Sequence, residues 1–573
     1  MPGVSIKHDI SIVLGGSAGQ GIQTVEQIVT QVLKRSGFHV FGTKEYMSRV
    51  RGGSNSTEIR ISSKSNPSLL NRIDILIPFD KGALKHLEKR ISSSTLILGD
   101  KSEITDEKEK NISQIVDVPF SKIASDIGGA IYTNSVAAGL IAGLFNVTLE
   151  ELHGFLDRFF AKTGDVIIEK NKDAASKGHA IALSLIHSGR ISINIARDPS
   201  LSEHILINGA EAVGIGAIAG GCNFISSYPM SPSTGVLVFL SRHAEEFGIV
   251  AEQAEDEISA INMVLGAWYA GARAMVTTSG GGFALMEEGV SLAGITEMPA
   301  VIHLAQRPGP ATGLPTRTEQ GDLNLVLYSG HGVFPRIILA PGTLEDAVSL
   351  TRDAFTLADQ YQVPVFILTD QYFIDSYYNI SSLALGDKPV ASFISETDAA
   401  YKRYRITDTG ISPRGIPGFG NGLVTADSDE HDEEGHITES SDVRIAMVDK
   451  RMRKLTEMKN NTFPPELTGS GGYKTLIIGW GSTFHGIKEA LSRLKRKDLS
   501  FLHFKQVYPL HPETADYLKR AKRVVMVEGN ANAQFASLIR LETGIGIDDV
   551  ILKYDGSQFS VEELADRLEA ILG

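Results

Sequence analysis

Three stretches of this sequence carry side chains whose chemistry depends on where they are held. Glu257 heads the apolar run ISAINMVLGAWYAGA. A carboxyl pressed against apolar neighbours loses hydration, its pKa rises, and it becomes able to give or take a proton near neutral pH. Glu252, Glu255 and Asp256 come just before it. Carboxylates in a first helical turn are favoured by the helix dipole, and that explains most of the group without any chemistry. Arg307 ends the strand-like run PAVIHLAQR. A guanidinium there can hold a carboxylate through two parallel hydrogen bonds, although a solvated arginine is the plainer alternative. Thr316 follows in the Gly/Pro-rich RPGPATGLPTRTEQGDL and offers a hydroxyl.

The segment FISSYPMSPST, 224–234, offers the hydroxyls of Tyr228, Ser231, Ser233 and Thr234 at an element's end. Pro229 and Pro232 fix φ and lack an amide donor, so neither a strand nor a helix continues through. The reading is a rigid elbow at an element's end, where α/β folds place ligands. A Pro-bounded turn with Ser233 or Thr234 as helix cap accounts for the same spacing. Nearer the N-terminus, Lys44, Arg49 and Arg51 crowd a Gly-Gly turn and suit a carboxylate or phosphate, or simply a solvated loop. DISIVLGGSAGQGIQT reads strand, glycine turn, helix. Its glycines serve an anion cradle or tight packing equally well, and the Lys-Ser/Thr ending of a phosphate-binding P-loop is missing.

The elements that must position these groups alternate strand and helix, which predicts an α/β fold. Residues 9–24 and the buried strand IDILIPFD belong to a first unit, with the small-residue helix IYTNSVAAGLIAGLFN packed closely. ARAMVTTS, PAVIHLAQR and VPVFILT are strands of a second. Residues 385–470 lack a clear period, and DSDEHDEEGHITES, with His431 and His436, reads as a solvated acidic loop rather than a metal site. The alternation resumes at Tyr473.

Length and composition bound the rest. A chain of 573 residues, 42% hydrophobic and 21% charged, predicts a globular protein of three or four domains. Its apolar runs are too short to span a bilayer, and MPGVSIKHDISIVLGG lacks the basic start and long apolar core of a signal peptide. A cytoplasmic location without membrane partners is expected. A net charge of −13 argues against nucleic acid as a partner. The single cysteine, Cys222, sits in a Gly/Ala run and reads as a buried thiol. One thiol cannot hold an iron–sulfur cluster, which takes about four.

The elbow YPMSPS resembles the YPITPS signature of 2-oxoacid:acceptor (ferredoxin) oxidoreductases, with Met-Ser in place of Ile-Thr. Ser231 keeps the hydroxyl and loses a methyl. The helix that Glu257 opens resembles that family's pattern too, with Gly266, Ala267, Ala270, Gly271 and Ala272 at matching spacing. The resemblance extends over nearly the whole chain. It implies a multidomain α/β architecture: a gamma-like domain at 1–190, a thiamine pyrimidine-binding domain of transketolase type at 200–385, an extended connector at 386–470 and a transketolase C-terminal-like domain at 471–573. In the last, Glu528, Asn530 and Gln534 resemble an E-x-N-x-x-x-Q motif; a buried, capped turn explains these residues almost as well.

By the resemblance, the chain is the alpha subunit, with a fused gamma domain, of an enzyme that oxidatively decarboxylates a 2-oxoacid. Coenzyme A accepts the acyl group and ferredoxin accepts the electrons; the reverse carboxylation is the same chemistry run backwards. Glu257 would be the acid at N1′ of the thiamine aminopyrimidine, with Tyr228, Pro229 and Ser231 also holding the cofactor. Arg307, Thr316, Ser231 and Lys44 would hold the substrate. This sequence has no G-D-G…N motif for diphosphate and Mg²⁺, and GDK at Gly386 does not continue as one. Thiamine diphosphate is therefore expected to be shared with a beta subunit carrying the Mg²⁺ and a [4Fe–4S] cluster, in an (αβ)₂ assembly. Fusion of gamma and alpha parts points to 2-oxoglutarate. Pyruvate or broad 2-oxoacid use, a non-redox thiamine diphosphate transferase and a non-catalytic nucleotide- or acyl-CoA-binding scaffold are the alternatives.

Overall fold

A computed structural model describes residues 4–47, 53–104, 114–383, 385 and 390–573. The chain divides into two compact units: 1–207 with 376–382 and 560–563, and 208–375 with 383–559 and 564–573. The sequence reading cuts the chain into four parts, and the second unit takes in most of three of them.

The first unit is built on an eight-stranded mixed sheet. Its order is Gln114–Asp117, Leu96–Gly99, Ile75–Pro78, Asp9–Ser17, Ser54–Ser62, His39–Glu45, Tyr377–Ile380 and Ile205–Asn208. The four strands from Gln114–Asp117 to Asp9–Ser17 pair in parallel, and Ser54–Ser62 is antiparallel to both its neighbours. The helices Ile22–Arg35 and Thr133–Leu144 contribute Val25, Ile28, Val29, Val136, Leu140 and Ile141 to the main core. The small-residue helix packs as its sequence predicts. A Cβ on Gly139 would lie 2.0 Å from Ala175 O, and one on Gly178 the same distance from Val136 O, so only glycine lets Thr133–Leu144 and Asp165–His187 approach this closely.

The second unit holds two sheets. The larger has seven strands in the order Val250–Gln253, Phe224–Ser227, Ala274–Thr278, Ala300–Gln306, Pro364–Asp370, Ile337–Leu339, Gln506–Tyr508. The first six run parallel; the last is antiparallel and comes from the C-terminal part of the chain. Parallel strands put their carboxyl ends along one edge. The elbow after Ser227, the turn after Thr278, the loop after Gln306 and the carboxyl of Asp370 therefore share that edge, the usual ligand edge of an open α/β sheet. The smaller sheet has Glu466–Gly469 as an antiparallel edge strand, followed by Leu499–Phe504, Thr475–Trp480, Arg523–Glu528 and Asp549–Leu552 in parallel.

The segment read as an extended connector contains a 20-residue helix, Ser441–Asn460. Its buried face carries Met447, Lys450, Arg451, Lys454 and Met458, so an apolar period cannot reveal it. Charge pairing replaces apolar burial. Lys450 Nζ and Lys454 Nζ each lie 2.5 Å from the Glu297 carboxyl, and all three residues are buried. Burial acts to raise the Glu297 pKa, but Lys454, Lys450 and Arg403 together hold it below the carboxylate range. Arg451 pairs with Glu430 at 2.9 Å, which accounts for part of the acidic run that reads as solvated. His431 in that run is buried against the Tyr404 ring, 3.9 Å between centroids, while His436 is exposed. No cluster of metal-ligating side chains occurs among the described residues.

Candidate active site

The elbow begins where Phe224–Ser227 ends. Ser227 Oγ accepts a hydrogen bond from Thr277 N at 2.9 Å, which fixes the strand end to its neighbour. Tyr228 is 40% exposed and Ser231 is exposed. Pro229 lines a surface groove of about 410 Å³ with Thr234 and Gln253. The Ser231–Pro232 peptide is cis. Ser233 precedes the helix Thr234–Arg242 but does not cap it with its side chain; its hydroxyl donates to Met230 O at 2.8 Å and closes the elbow. Arg307 Nη1 donates to Ser231 O at 2.6 Å, tying the elbow to the loop that follows Ala300–Gln306.

Glu257 is the first residue of the helix Glu257–Tyr269. Capping is done by its neighbour: the Asp256 side chain accepts from Ser259 N at 2.7 Å. Ala260, Ile261, Val264, Leu265 and Trp268 bury the helix against the sheet, the larger aliphatic side chains contributing about 1.5–3 kcal/mol each. That burial carries Glu257 inward until it is 3% exposed, while Glu252 and Glu255 stay in water. Glu257 Oε1 is buried with no hydrogen-bond partner among the described residues. Desolvation raises its pKa. Opposite lies the short turn Gly280–Phe283, where a Cβ on Gly282 would sit 2.4 Å from Glu257 Oε1. The glycine keeps the space beside the carboxyl open.

Arg307 directly follows the strand Ala300–Gln306, as the sequence predicts. Thr316, 8% exposed, lies in the loop behind it. That loop is held from three sides. Thr318 Oγ1 donates to Asp370 Oδ1 at 3.1 Å. Gln320 N donates to Gly529 O at 2.6 Å, Gly529 N donates back to Gln320 Oε1 at 2.9 Å, and Gln320 Nε2 donates to Trp480 O at 2.9 Å. Gln534 Nε2 reaches Gly321 O at 2.8 Å, and Asn530 Nδ2 reaches Gln320 O at 3.2 Å. The Glu528–Gly529–Asn530…Gln534 motif is thus a clamp on the loop that carries Thr316. Glu528 itself is buried, accepting from Phe535 N and Ala536 N.

One group in this neighbourhood goes unmarked in the sequence reading. Asp322 ends the same loop, and burial, then Glu319, push its pKa up to about 7 against the pull of Arg307. The GDL that closes the Gly/Pro-rich run was its only signal. His303, on the strand leading to Arg307, is buried between Thr277 Oγ1 at 2.7 Å and Thr369 Oγ1 at 2.9 Å. Burial lowers its pKa to about 3, so it is a neutral link between strands. Cys222 is buried and its thiol is pushed up to about 12, which fits an inert core position.

Lys44 lies in the first unit. Its ammonium is 3.1 Å from Glu26 Oε1 and 5.9 Å from the Tyr377 ring centroid. Arg49 and Arg51 lie outside the described residues. In the glycine turn, a Cβ on Gly21 would fall 2.0 Å from Asn134 Nδ2, and one on Gly16 2.3 Å from Gln20 Oε1. Side chains of the unit itself crowd those positions, which favours the packing role over an anion cradle.

The family model described as pyruvate flavodoxin/ferredoxin oxidoreductase, thiamine diphosphate-binding, matches residues 215–450, and that described as pyruvate ferredoxin/flavodoxin oxidoreductase matches residues 11–181. The 2-oxoacid:ferredoxin oxidoreductase subunit alpha of Sulfolobus sp is 30% identical over 98% of this chain and 97% of its own. The chain belongs to the 2-oxoacid:ferredoxin oxidoreductase alpha-subunit family. The 2-oxoglutarate oxidoreductase subunit KorA of Mycobacterium tuberculosis is 26% identical over 99% of this chain and 92% of its own. A solved 2-oxoglutarate:ferredoxin oxidoreductase from Magnetococcus marinus, with 2-oxoglutarate, coenzyme A and succinyl-CoA bound, superposes with a TM-score of 0.92 at 31% identity, covering 99% of this chain and 100% of that one. The alpha-subunit family assignment, the α/β architecture and the presence of a thiamine diphosphate-binding domain agree with the sequence reading. Among the described residues no helix is long and apolar enough to cross a membrane.

Proposed function

We propose that this chain is the pyrimidine-binding half of an enzyme that oxidatively decarboxylates 2-oxoglutarate with coenzyme A, giving an acyl-CoA, CO₂ and two electrons for ferredoxin. The observation that carries the reading is the Glu257 carboxyl: buried, raised in pKa, and facing a glycine that leaves its Oε1 unpartnered. An aminopyrimidine nitrogen fits that orphaned atom, since a protonated carboxyl donates one hydrogen bond and needs one acceptor. Bound there, thiamine diphosphate supplies a carbon nucleophile and an electron sink for decarboxylation.

The chain's own residues do the rest. With its pKa raised by burial, Glu257 would hold a proton at Oε1 toward the ring nitrogen, in a position set by the helix that buries the carboxyl. We assign Tyr228, Pro229 and Ser231, in the elbow on the same sheet edge, to the wall of the cofactor site. Arg307 receives the substrate carboxylate, and its tie to Ser231 O fixes its direction. Thr316 gives its hydroxyl to the 2-oxo group. The clamp from Glu528 to Gln534 keeps the loop in register.

The substrate choice draws support from the 2-oxoglutarate-bound relative and from the KorA relative of Mycobacterium tuberculosis. Lys44 retains its substrate assignment from family resemblance alone. The relatives are named as subunit alpha, so a partner subunit belongs to the reading. We assign diphosphate, Mg²⁺ and the [4Fe–4S] cluster to that beta partner, in an (αβ)₂ assembly in the cytoplasm. This chain's single cysteine supports the division for the cluster. The test is co-expression with the partner, followed by thiamine and iron analysis and anaerobic turnover. Thiamine and iron in the complex with coenzyme A-dependent reduction of ferredoxin by 2-oxoglutarate is the expected result. A complex free of thiamine, or iron held by this chain alone, would overturn the reading.

A further inference from the structure

Asp322 occupies the residue before the short helix Leu323–Leu327, where an aspartate ordinarily accepts an amide proton from the first turn. It makes no such bond. Its backbone is anchored instead, Asp322 N donating to Gln306 Oε1 at 3.0 Å, and Gln306 Nε2 in turn donating to Thr369 O at 3.0 Å. The carboxyl is aimed at the turn after Thr278: a Cβ on Gly280 would lie 2.5 Å from both of its oxygens. Two residues further on, Gly282 makes the same kind of room for Glu257. Asp322 Oδ2 and Arg307 Nε are both buried without hydrogen-bond partners among the described residues. A carboxyl oxygen and a guanidinium N–H are thus left unused, on two groups near enough for the Arg307 charge to act on the Asp322 carboxyl.

We infer that Asp322 and Arg307 together receive the C1 carboxylate of the 2-oxoacid, Asp322 carrying a proton when the substrate enters. The inference rests on the proposed site. One guanidinium neutralises one carboxylate, and a second ionised carboxylate beside it would repel the substrate. A protonated Asp322 donates its O–H to the incoming carboxylate instead. The charged groups that face Asp322 are Arg307, from the strand end, and Glu319, from its own loop. Burial and Glu319 favour the neutral acid, and Arg307 opposes it. The role is independent of what lies beyond C2, so it applies to any 2-oxoacid.

The sign follows from the direction of that shift. With a pKa of about 7, Asp322 is neutral on the acid side and anionic on the alkaline side. Substrate affinity therefore falls as pH rises through that value, KM climbing toward about tenfold per pH unit once the anion dominates. The experiment is the pH profile of KM and kcat for 2-oxoglutarate in the assembled complex, wild type against Asp322→Asn. The amide cannot ionise, so its KM profile should be flat across neutrality, with kcat changing less than KM. A KM that rises with pH in Asp322→Asn in parallel with wild type would overturn the inference, as would a fall in kcat at unchanged KM.

Should Asp322→Asn fail to assemble, Gly280→Ala carries the test, because its methyl displaces the same carboxyl. It should raise KM severalfold on the acid side, and an unchanged KM would count against Asp322. Wild-type complex that binds no thiamine or does not decarboxylate 2-oxoacids would remove the function itself. Active wild type with an Asp322→Asn profile identical to its own removes only this residue.

Discussion

Gly282→Ala tests the geometry around Glu257 with one methyl group. The new Cβ would lie 2.4 Å from Glu257 Oε1 and 2.4 Å from Thr278 Oγ1. A carbon and an oxygen in van der Waals contact sit well beyond 3 Å, so the carboxyl has to retreat by about 1 Å. Glu257 can retreat, because Oε1 is the free end of a flexible side chain. Folding should therefore lose little, about 1–2 kcal/mol for a mildly overpacked site. Catalysis should lose much more: a displacement of about 1 Å between reacting groups costs roughly 10²-fold, or about 2.7 kcal/mol at the transition state. The assay is anaerobic turnover of the assembled complex, with thermal unfolding and thiamine content measured on the same preparation. Turnover within threefold of wild type, in a folded, thiamine-loaded complex, would refute the claim that this glycine exists to leave the carboxyl its position.

Three further outcomes follow from the same structure. Glu297→Gln leaves the ammoniums of Lys450 and Lys454 buried without a counter-charge, and denaturant unfolding should show a loss of about 3–5 kcal/mol. Because the Glu297 pKa is held down, its contribution is present at neutral pH and disappears only as pH falls through the folded-state value, below the ordinary carboxylate range. Gln320→Ala strips two side-chain bonds from the clamp, leaving Trp480 O and Gly529 N unpaired at a cost of about 1–3 kcal/mol each in denaturant unfolding, and should raise KM as the loop carrying Thr316 loosens. Glu257→Gln should raise the melting temperature slightly at neutral pH. A carboxyl with a raised pKa supports folding below its ordinary value and withdraws that support as pH rises through the folded one, a loss that the amide never suffers.

The sequence made some of this molecule plain and hid the rest for identifiable reasons. Glu257 could be found because an acid directly heads an apolar run, and Arg307 because it ends one. The elbow was legible in its two prolines, although the hydroxyl at Ser233 turned back to Met230 O instead of capping the next helix. The helix Ser441–Asn460 was not legible, because its buried face is built from lysines and an arginine whose partners, Glu297 and Glu430, lie outside it. Asp322 was missed for a similar reason. An aspartate before a short helix looks like a cap, and only the position of Gly280 shows that its carboxyl points elsewhere. The edge strand Gln506–Tyr508, joining the larger sheet from far along the chain, has no local signature. What periodicity and spacing report is local; what they missed here was settled by charge pairing and by approaches between distant segments.

The central claim is that the buried carboxyl at position 257 sets the protonation of the cofactor's aminopyrimidine. It is tested most directly by hydrogen–deuterium exchange at C2 of thiamine diphosphate bound to the assembled complex, comparing wild type with Glu257→Gln at equal cofactor occupancy. Exchange slowed by about 10²–10⁴-fold in the variant, the range that a lost acid–base group commands, is the expected result. Exchange at the wild-type rate in a fully loaded Glu257→Gln complex would contradict it.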